Sequence, residues 1–369
     1  MAPPLSLREH DHLMPPVSFS RLPRRKLLGV LLLASAAGLL VYIVFFRGPS
    51  LTRELEWSSQ SQDAGPLYAS DCKTLVTGGE DPIRLWNAST GALNAALTNY
   101  EAHAYNLAVS PKGDFLACTR LHRARKQPDR LTLELWDLGS SKRLVEIEDY
   151  TTSVTFSPSG AALATVTLIK PNSTAPTAIV HLRSIPTLAP TASIPIPNPG
   201  ASLCFSPDGK SLAIGHGFAI ELFDLKTLRS IATFKGAPST RFGPIAFYPD
   251  GKTLAAIASV QSPQTGGLCT WDVATAQVKV NVDFGHDARG ASFSADGHTV
   301  AVHLLWYMFS RSDRIEVWDT TTGSRMCSLT DRRRFFSSIA LSPDAAHLAI
   351  AYQSKGPKVP APLTIWRID

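Results

Sequence analysis

The sequence predicts an all-β fold, a seven-bladed propeller of four-stranded antiparallel blades, preceded by one transmembrane helix. Three observations carry that prediction. A unit of the form Phe205-Ser206-Pro207-Asp208-Gly209, followed by a Leu-Ala step, recurs with its serine position at 110, 157, 206, 248, 294 and 342, with a weaker copy at Ser70. A second marker keeps step downstream, at Trp86, Trp136, Leu182, Phe223, Trp271, Trp318 and Trp366. Residues 27–46 carry no charge at all. Self-similarity at a period of 20–50 residues means stacked supersecondary units, and two markers in phase make chance agreement implausible.

Between the markers the hydropathy alternates every two residues, as in strands. Each copy opens with a strand such as Ser202-Leu203-Cys204-Phe205, and Pro-Asp-Gly then turns the chain, because Pro fixes φ and Gly tolerates positive φ. A second strand carries Leu116-Ala117, Leu163-Ala164, Leu212-Ala213, Leu254-Ala255, Val300-Ala301 or Leu348-Ala349. A loop of variable length leads to a third strand, such as Ile315-Glu316-Val317-Trp318-Asp319, and a turn such as Thr320-Thr321-Thr322-Gly323 returns the chain into a fourth. Four short strands per unit, with no helical periodicity after residue 50, are a propeller blade.

The first strands predict how blades pack. One face carries large pairs, Val154 with Phe156, Leu203 with Phe205, Ile245 with Phe247 and Ile339 with Leu341; the other carries Ala108, Thr155, Cys204, Ala246, Ser292 and Ala340. A blade can hold a Phe near the axis only where its neighbour is small. Each buried Phe contributes about 2–3 kcal/mol.

The last copy stops just after Trp366 and lacks a fourth strand. Residues 51–58, with Leu51, Arg53, Leu55 and Trp57 alternating, are expected to supply it and leave no open edge. The propeller therefore spans residues 51–369.

Trp136-Asp137, Trp271-Asp272 and Trp318-Asp319 close a strand ahead of a hairpin, and Gly285-His286 lies upstream of Trp318. This pattern resembles the WD-repeat propellers over residues 51–369, and the Phe-Ser-Pro-Asp-Gly turn also resembles a related family of bacterial propellers. The resemblance implies a rigid interaction platform without catalysis, in which Trp86, Trp136, Trp271, Trp318 and Trp366 are structural. It also implies that His286, Asp313 and Trp318 form the family's polar network in one blade. The third copy departs most, with Leu182-Arg183 at the Trp-Asp position.

Residues 27–46 span about 30 Å as a helix, the hydrocarbon thickness of a bilayer. Arg21, Arg24, Arg25 and Lys26 precede the segment, so the positive-inside rule places residues 1–26 in the cytoplasm, as a Pro-rich disordered tail, and the propeller outside it, periplasmic in a bacterium. Ala34-Ser35-Ala36 resembles a signal-peptidase site, but the apolar run continues ten residues beyond it, which favours an uncleaved single-pass anchor in contact with lipid. Residues 47–50 are a linker. The closing strand begins at the face opposite the long loops, which are expected to point away from the bilayer.

Five dispersed cysteines without a Cys-x-x-Cys pair argue against a disulfide framework. Asn87-Ala88-Ser89 and Asn172-Ser173-Thr174 are glycosylation acceptors only in a eukaryotic secretory route. No Gly-x-Ser-x-Gly, His-Glu-x-x-His or Gly-rich phosphate loop is present, and the small inner faces lack acid/base groups, so no enzyme, cofactor or metal is expected. Of the net charge of +6, residues 1–26 hold +3 (five basic, two acidic), leaving +3 for the remaining 343 residues. That field is too weak for a nucleic-acid partner.

Loops that vary on a rigid scaffold carry binding. Two regions are chemically biased toward a protein partner, an acidic one. The second copy offers Arg120, Arg123, Arg125 and Lys126; the sixth offers Trp306, Tyr307, Phe309 and Arg311, with Arg332, Arg333, Arg334 and Phe335 beside it. The expected function is a monomeric, membrane-tethered interaction scaffold. The alternative is a propeller enzyme or ligand sensor using the central funnel.

Overall fold

A computed structural model of the chain describes residues 27–35, 38–46, 50–59, 65–80, 82–98, 102–122, 130–169, 178–197, 202–236, 240–261, 264–305, 313–331, 334–353 and 361–369. It divides into two units, residues 1–48 and 49–369.

In the first unit Leu27–Ser35 and Gly38–Phe46 pair as antiparallel strands, Leu27 opposite Phe46 and Ser35 opposite Gly38. This differs from the helix expected over 27–46, and no helix among the described residues is long and apolar enough to cross a membrane. A run that is apolar on every side carries no period to separate helix from strand, and its β-branched Val30, Val41, Ile43 and Val44 suit strands. Residues 1–26 and 47–49 lie outside the described residues.

The second unit is a ring of seven antiparallel sheets. Blade 3 shows the plan: Thr151–Phe156, Ala162–Leu168, Ala178–Ser184 and Pro190–Ile196 run from the axis outward in chain order. Each first strand touches the first strands of both neighbouring blades, which closes the ring. The seventh blade consists of Phe336–Leu341, His347–Tyr352 and Ala361–Ile368, and its outer strand is Leu51–Ser59, with Leu51 opposite Ile368 and Ser59 opposite Ala361. Glu54 pairs with Arg367 (3.1 Å), and Thr52 Oγ1 donates to Asp369 (2.7 Å). One addition breaks the four-strand plan. Gly79–Glu80 adds to the inner edge of blade 2, with Gly79 opposite Ala104.

The repeat motif builds one face of the ring. Ser206 Oγ donates to Asp208 Oδ1 (2.6 Å) and accepts from Ser211 N–H (2.9 Å), tying the turn to the start of the second strand. Ser294 and Ser342 repeat both bonds. Gly209 has φ +70°, and a Cβ there would stand 3.9 Å from Pro158 Cδ; Gly160 and Gly251 meet Pro111 and Pro207 in the same way, so the turns of blades 3, 4 and 5 each rest on the previous one. Tyr248, which replaces the serine in blade 5, instead hydrogen-bonds Thr320 Oγ1 (2.6 Å) in the next blade.

Blade contacts interleave large with small. Phe205 packs among Ala164, Val166 and Val180 of blade 3, while Cys204 on its other face meets the Phe247 and Trp271 cluster of blade 5. Ala340 in blade 7 meets Leu75 and Trp86 of blade 1 across the closure. All five cysteines are free.

Candidate functional site

The face opposite the turns carries the loops between second and third strands and the loops between blades. At blades 6 and 7 three of these loops share a base. Asp313, the first residue after one loop, accepts the Phe336 N–H at 3.1 Å, and Gln353 N–H donates to the Phe335 carbonyl at 2.8 Å. The Phe336 ring lies 5.4 Å from Tyr352 and 5.8 Å from His303, edge-on to the imidazole. The Arg334 guanidinium sits 5.4 Å over Tyr352 and pairs with Glu56 of the closing strand at 2.6 Å. These contacts divide two adjacent aromatics: Phe336 is 1% exposed and fixes the base, whereas Phe335 is 41% exposed. Trp306, Tyr307, Phe309, Arg311, Arg332 and Arg333 lie outside the described residues, as do Arg123, Arg125 and Lys126.

Arg120 corrects the reading of the second-copy loop as a binding surface. Its side chain is fully buried, with Nε 3.0 Å from the buried Glu134 carboxylate and Nη2 donating to the Leu97 carbonyl (3.3 Å). Glu134 also accepts from Trp136 Nε1 (2.8 Å) and pairs with Arg143 (3.0 Å). The physical reason is strand parity: Arg120 lies in the strand Phe115–His122 and alternates with Leu116 and Cys118 on one face. Counting by two from Leu116 would have revealed it.

His122, Glu134 and Glu146 bring one ligand atom each within 4.8 Å of one another. Both Glu134 oxygens already serve Arg120, Trp136 and Arg143, and Glu146 pairs with Arg130 (3.1 Å). A cation there would have to displace guanidinium groups that are themselves cationic, so the cluster reads as an ion-pair network.

The blade 6 network also departs from expectation. Asp313 faces His303 Nε2 at 3.4 Å rather than His286, whose carbonyl accepts the Gly266 N–H at 2.6 Å. His303 is in the second strand, opposite Ile315, two residues from the Leu305–Asp313 pair and on the same face. Burial pushes the His303 imidazole below its ordinary range, while Asp313 pulls the other way. Trp318 packs its ring 5.1 Å from Phe284, and its buried Nε1 has no acceptor among the described residues.

The tryptophan register holds in six blades and is corrected in the third. Trp86, Trp136, Phe223, Trp271, Trp318 and Trp366 stand opposite Leu75, Leu116, Leu212, Leu254, Val300 and Leu348. In blade 3 the residue opposite Leu163 is Arg183, not Leu182. A bulge against the outer strand falls at this position in every blade, Arg183 included. Arg183 Nε donates to Thr165 Oγ1 (3.2 Å), Nη1 to the Leu188 carbonyl (3.2 Å), and Nη2 pairs with buried Asp149.

No protein-family model matches the chain, and no curated protein matches it. Among solved structures, the beta-propeller domain of Myceliophteria thermophila Cps50 (Swd1) is similar, with a TM-score of 0.64 and 15% identity. The match covers 86% of this chain and 100% of that domain. At that identity the likeness establishes the fold alone: the chain is a seven-bladed β-propeller built on the plan of that domain.

Proposed function

We propose that the protein is a non-enzymatic, membrane-tethered interaction scaffold that presents a protein-binding face outside the cytoplasm. The observation that supports this most is the shared base of three loops at blades 6 and 7, which holds Phe335 open to solvent beside Arg334. An exposed aromatic and an Arg on a rigid base have the composition of an interface centre. An Arg-rich rim suits an acidic protein.

Tethering rests on sequence: twenty uncharged residues after four basic ones. In hydrocarbon a lone hairpin leaves its outer N–H and C=O groups without partners, so in a bilayer residues 27–46 are expected as a helix. Comparing far-ultraviolet circular dichroism of a peptide of these residues in buffer and in lipid vesicles tests this. A peptide that stays in strands in vesicles overturns the anchor.

Affinity capture with the full chain tests the face. Phe335→Ala and Arg334→Glu are expected to lose partners that the wild type retains, without a change in melting temperature beyond a few degrees. Recovery of the same partners from all three proteins overturns the site. Protease digestion after residue 50 from the cytoplasmic side overturns the orientation.

A further inference from the structure

Every blade ends on an outer strand paired on one side, so seven sheet edges can be compared within one molecule. An edge strand presents N–H and C=O groups along its free side and is a template for pairing with another chain; folded proteins blunt such edges with charges and proline. Six of the seven outer strands are blunted in this way, by Arg143 in blade 2, Pro195 in blade 3, Arg229 in blade 4, Lys279 in blade 5, Arg325 in blade 6 and Glu54 in blade 7. The outer strand of blade 1, Leu93–Leu97, reads Leu-Asn-Ala-Ala-Leu and has neither a charge nor a proline. The gap is wider than the strand: residues 85–100 contain no charged residue and no proline.

This edge is also open and already shaped. Leu93, Asn94 and Ala96 are exposed, Leu93 to 50%. Leu144, Ile231 and Val278 are exposed apolar residues on other outer strands, but Arg143, Arg229 and Lys279 stand within two positions of them. What sets blade 1 apart is therefore the missing charge, not an exposed leucine. Its strand is fixed from the inner side, because Leu97 is buried in one cluster with Ile83 and with Leu116 of the next blade. A strand held in register by its own blade needs no further ordering to accept another.

The sequence of the strand selects the occupant. A two-fold axis through Ala95 pairs the strand antiparallel with its own copy, setting Leu93 opposite Leu97, Asn94 opposite Ala96 and Ala95 opposite itself. No charge then meets a like charge, and the alanines at the centre leave room for two backbones at the ladder spacing of about 4.8 Å. A charged partner finds no counter-charge on this edge to recognise. Five residues span about 17 Å, so the contact is small and the association weak, with a Kd in the range of about 1–100 µM.

We infer that the outer strand of blade 1 is a self-association edge, on which a second copy of this chain adds its own Leu93–Leu97 antiparallel and joins the two blade 1 sheets into one. This goes beyond the reading of the loop face and does not depend on it.

Sedimentation velocity of the full chain in detergent, between about 1 and 100 µM, tests it. The wild type is expected to shift from monomer to dimer across that range. Asn94→Lys and Ala96→Glu, both at exposed positions, are each expected to raise the Kd about tenfold, with the melting temperature unchanged. An equal mixture of the two variants sets a lysine opposite a glutamate across the axis and is expected to dimerise within about threefold of the wild type. A wild type that stays monomeric throughout overturns the proposal, even where the edge takes an extended segment of a different protein instead. Dimers that persist unchanged in both variants overturn it as well, since residues 27–46 are the same in all of them. A mixture that stays monomeric overturns the antiparallel pairing of copies. Partner capture that depends on Phe335 is unaffected by any of these outcomes, so the two readings fail separately.

Discussion

In blade 1 Trp86 Nε1–H donates to Thr77 Oγ1 at 3.0 Å; in blade 3 Arg183 Nε–H donates to Thr165 Oγ1 at 3.2 Å. The two threonines occupy the same place, two residues after Leu75 and Leu163. The indole covers the previous blade with apolar surface, packing with Leu363 and Ile365. The guanidinium brings a charge into that space and must be given Asp149 and the Leu188 carbonyl as well. In blades 1 and 3 the slot therefore holds an N–H donor on a threonine and a body that fills the gap between blades, whereas Phe223 fills it in blade 4 with no donor and Trp136 turns its donor to Glu134. The slot does not specify an aromatic, and the substitute carries obligations that tryptophan does not.

Asp149→Ala should break this comparison hardest. It leaves the Arg183 charge buried without its partner, a loss of about 3–5 kcal/mol, read by urea denaturation. Asp149→Leu/Arg183→Trp, which converts blade 3 to the chemistry of blade 1, should recover most of that loss. A double variant as unstable as Asp149→Ala would show that the arginine is required for more than filling the slot. Removing the shared acceptor sharpens the contrast: Thr165→Val should cost about 2 kcal/mol and Thr77→Val about 1 kcal/mol, because the first bond is charge-assisted.

The repeat was legible in sequence because each turn serine and each Leu-Ala step answers a local need that every blade shares. Arg183 was not, since its position follows from pairing with Leu163 across the intervening loop, and the tryptophan that elsewhere marks the register is gone. Arg120 was read as a surface cation because its neighbours in sequence are basic; its face of the strand was decided by Leu116 and Cys118. The His303–Asp313 contact was missed for a related reason. The WD-repeat pattern directs attention to a Gly-His pair, whereas here the imidazole comes from the strand beside the aspartate. The loop face could be located by length alone, but the division between buried Phe336 and open Phe335 depends on Tyr352 and His303, which come from other strands.

A pH series separates blade 6 from the rest of the ring. His303 stays neutral in the fold to lower pH than the ordinary 6.5, because burial outweighs the pull of Asp313. The charged groups facing it are Asp313 and, further off, Arg289. The unfolded chain thus takes up the proton first as pH falls, so the stability from the neutral imidazole is complete above about pH 6.5 and declines as pH drops through the folded value. Melting temperatures between roughly pH 7 and pH 5 should fall less steeply for His303→Gln than for the wild type. Parallel slopes would remove His303 as the source.

The smallest contrast lies within the turns. Ser206 Oγ both donates to Asp208 and accepts from Ser211 N–H, whereas Ser110 Oγ accepts from Phe115 N–H (2.9 Å) with Lys112 in place of the aspartate. Both substitutions remove the acceptor of a strand N–H, at about 1 kcal/mol. Ser206→Ala also releases Asp208, whose carboxyl the serine holds below the usual range. Its folded pKa is depressed, so that part of the stability is present above the unfolded value and is lost as pH falls through the folded one. Ser206→Ala should therefore differ from wild type more at neutral than at acid pH, while the Ser110→Ala difference stays constant. Equal pH profiles for the two variants would mean that the aspartate adds nothing to the turn beyond its own backbone bond to Lys210 N–H at 3.0 Å.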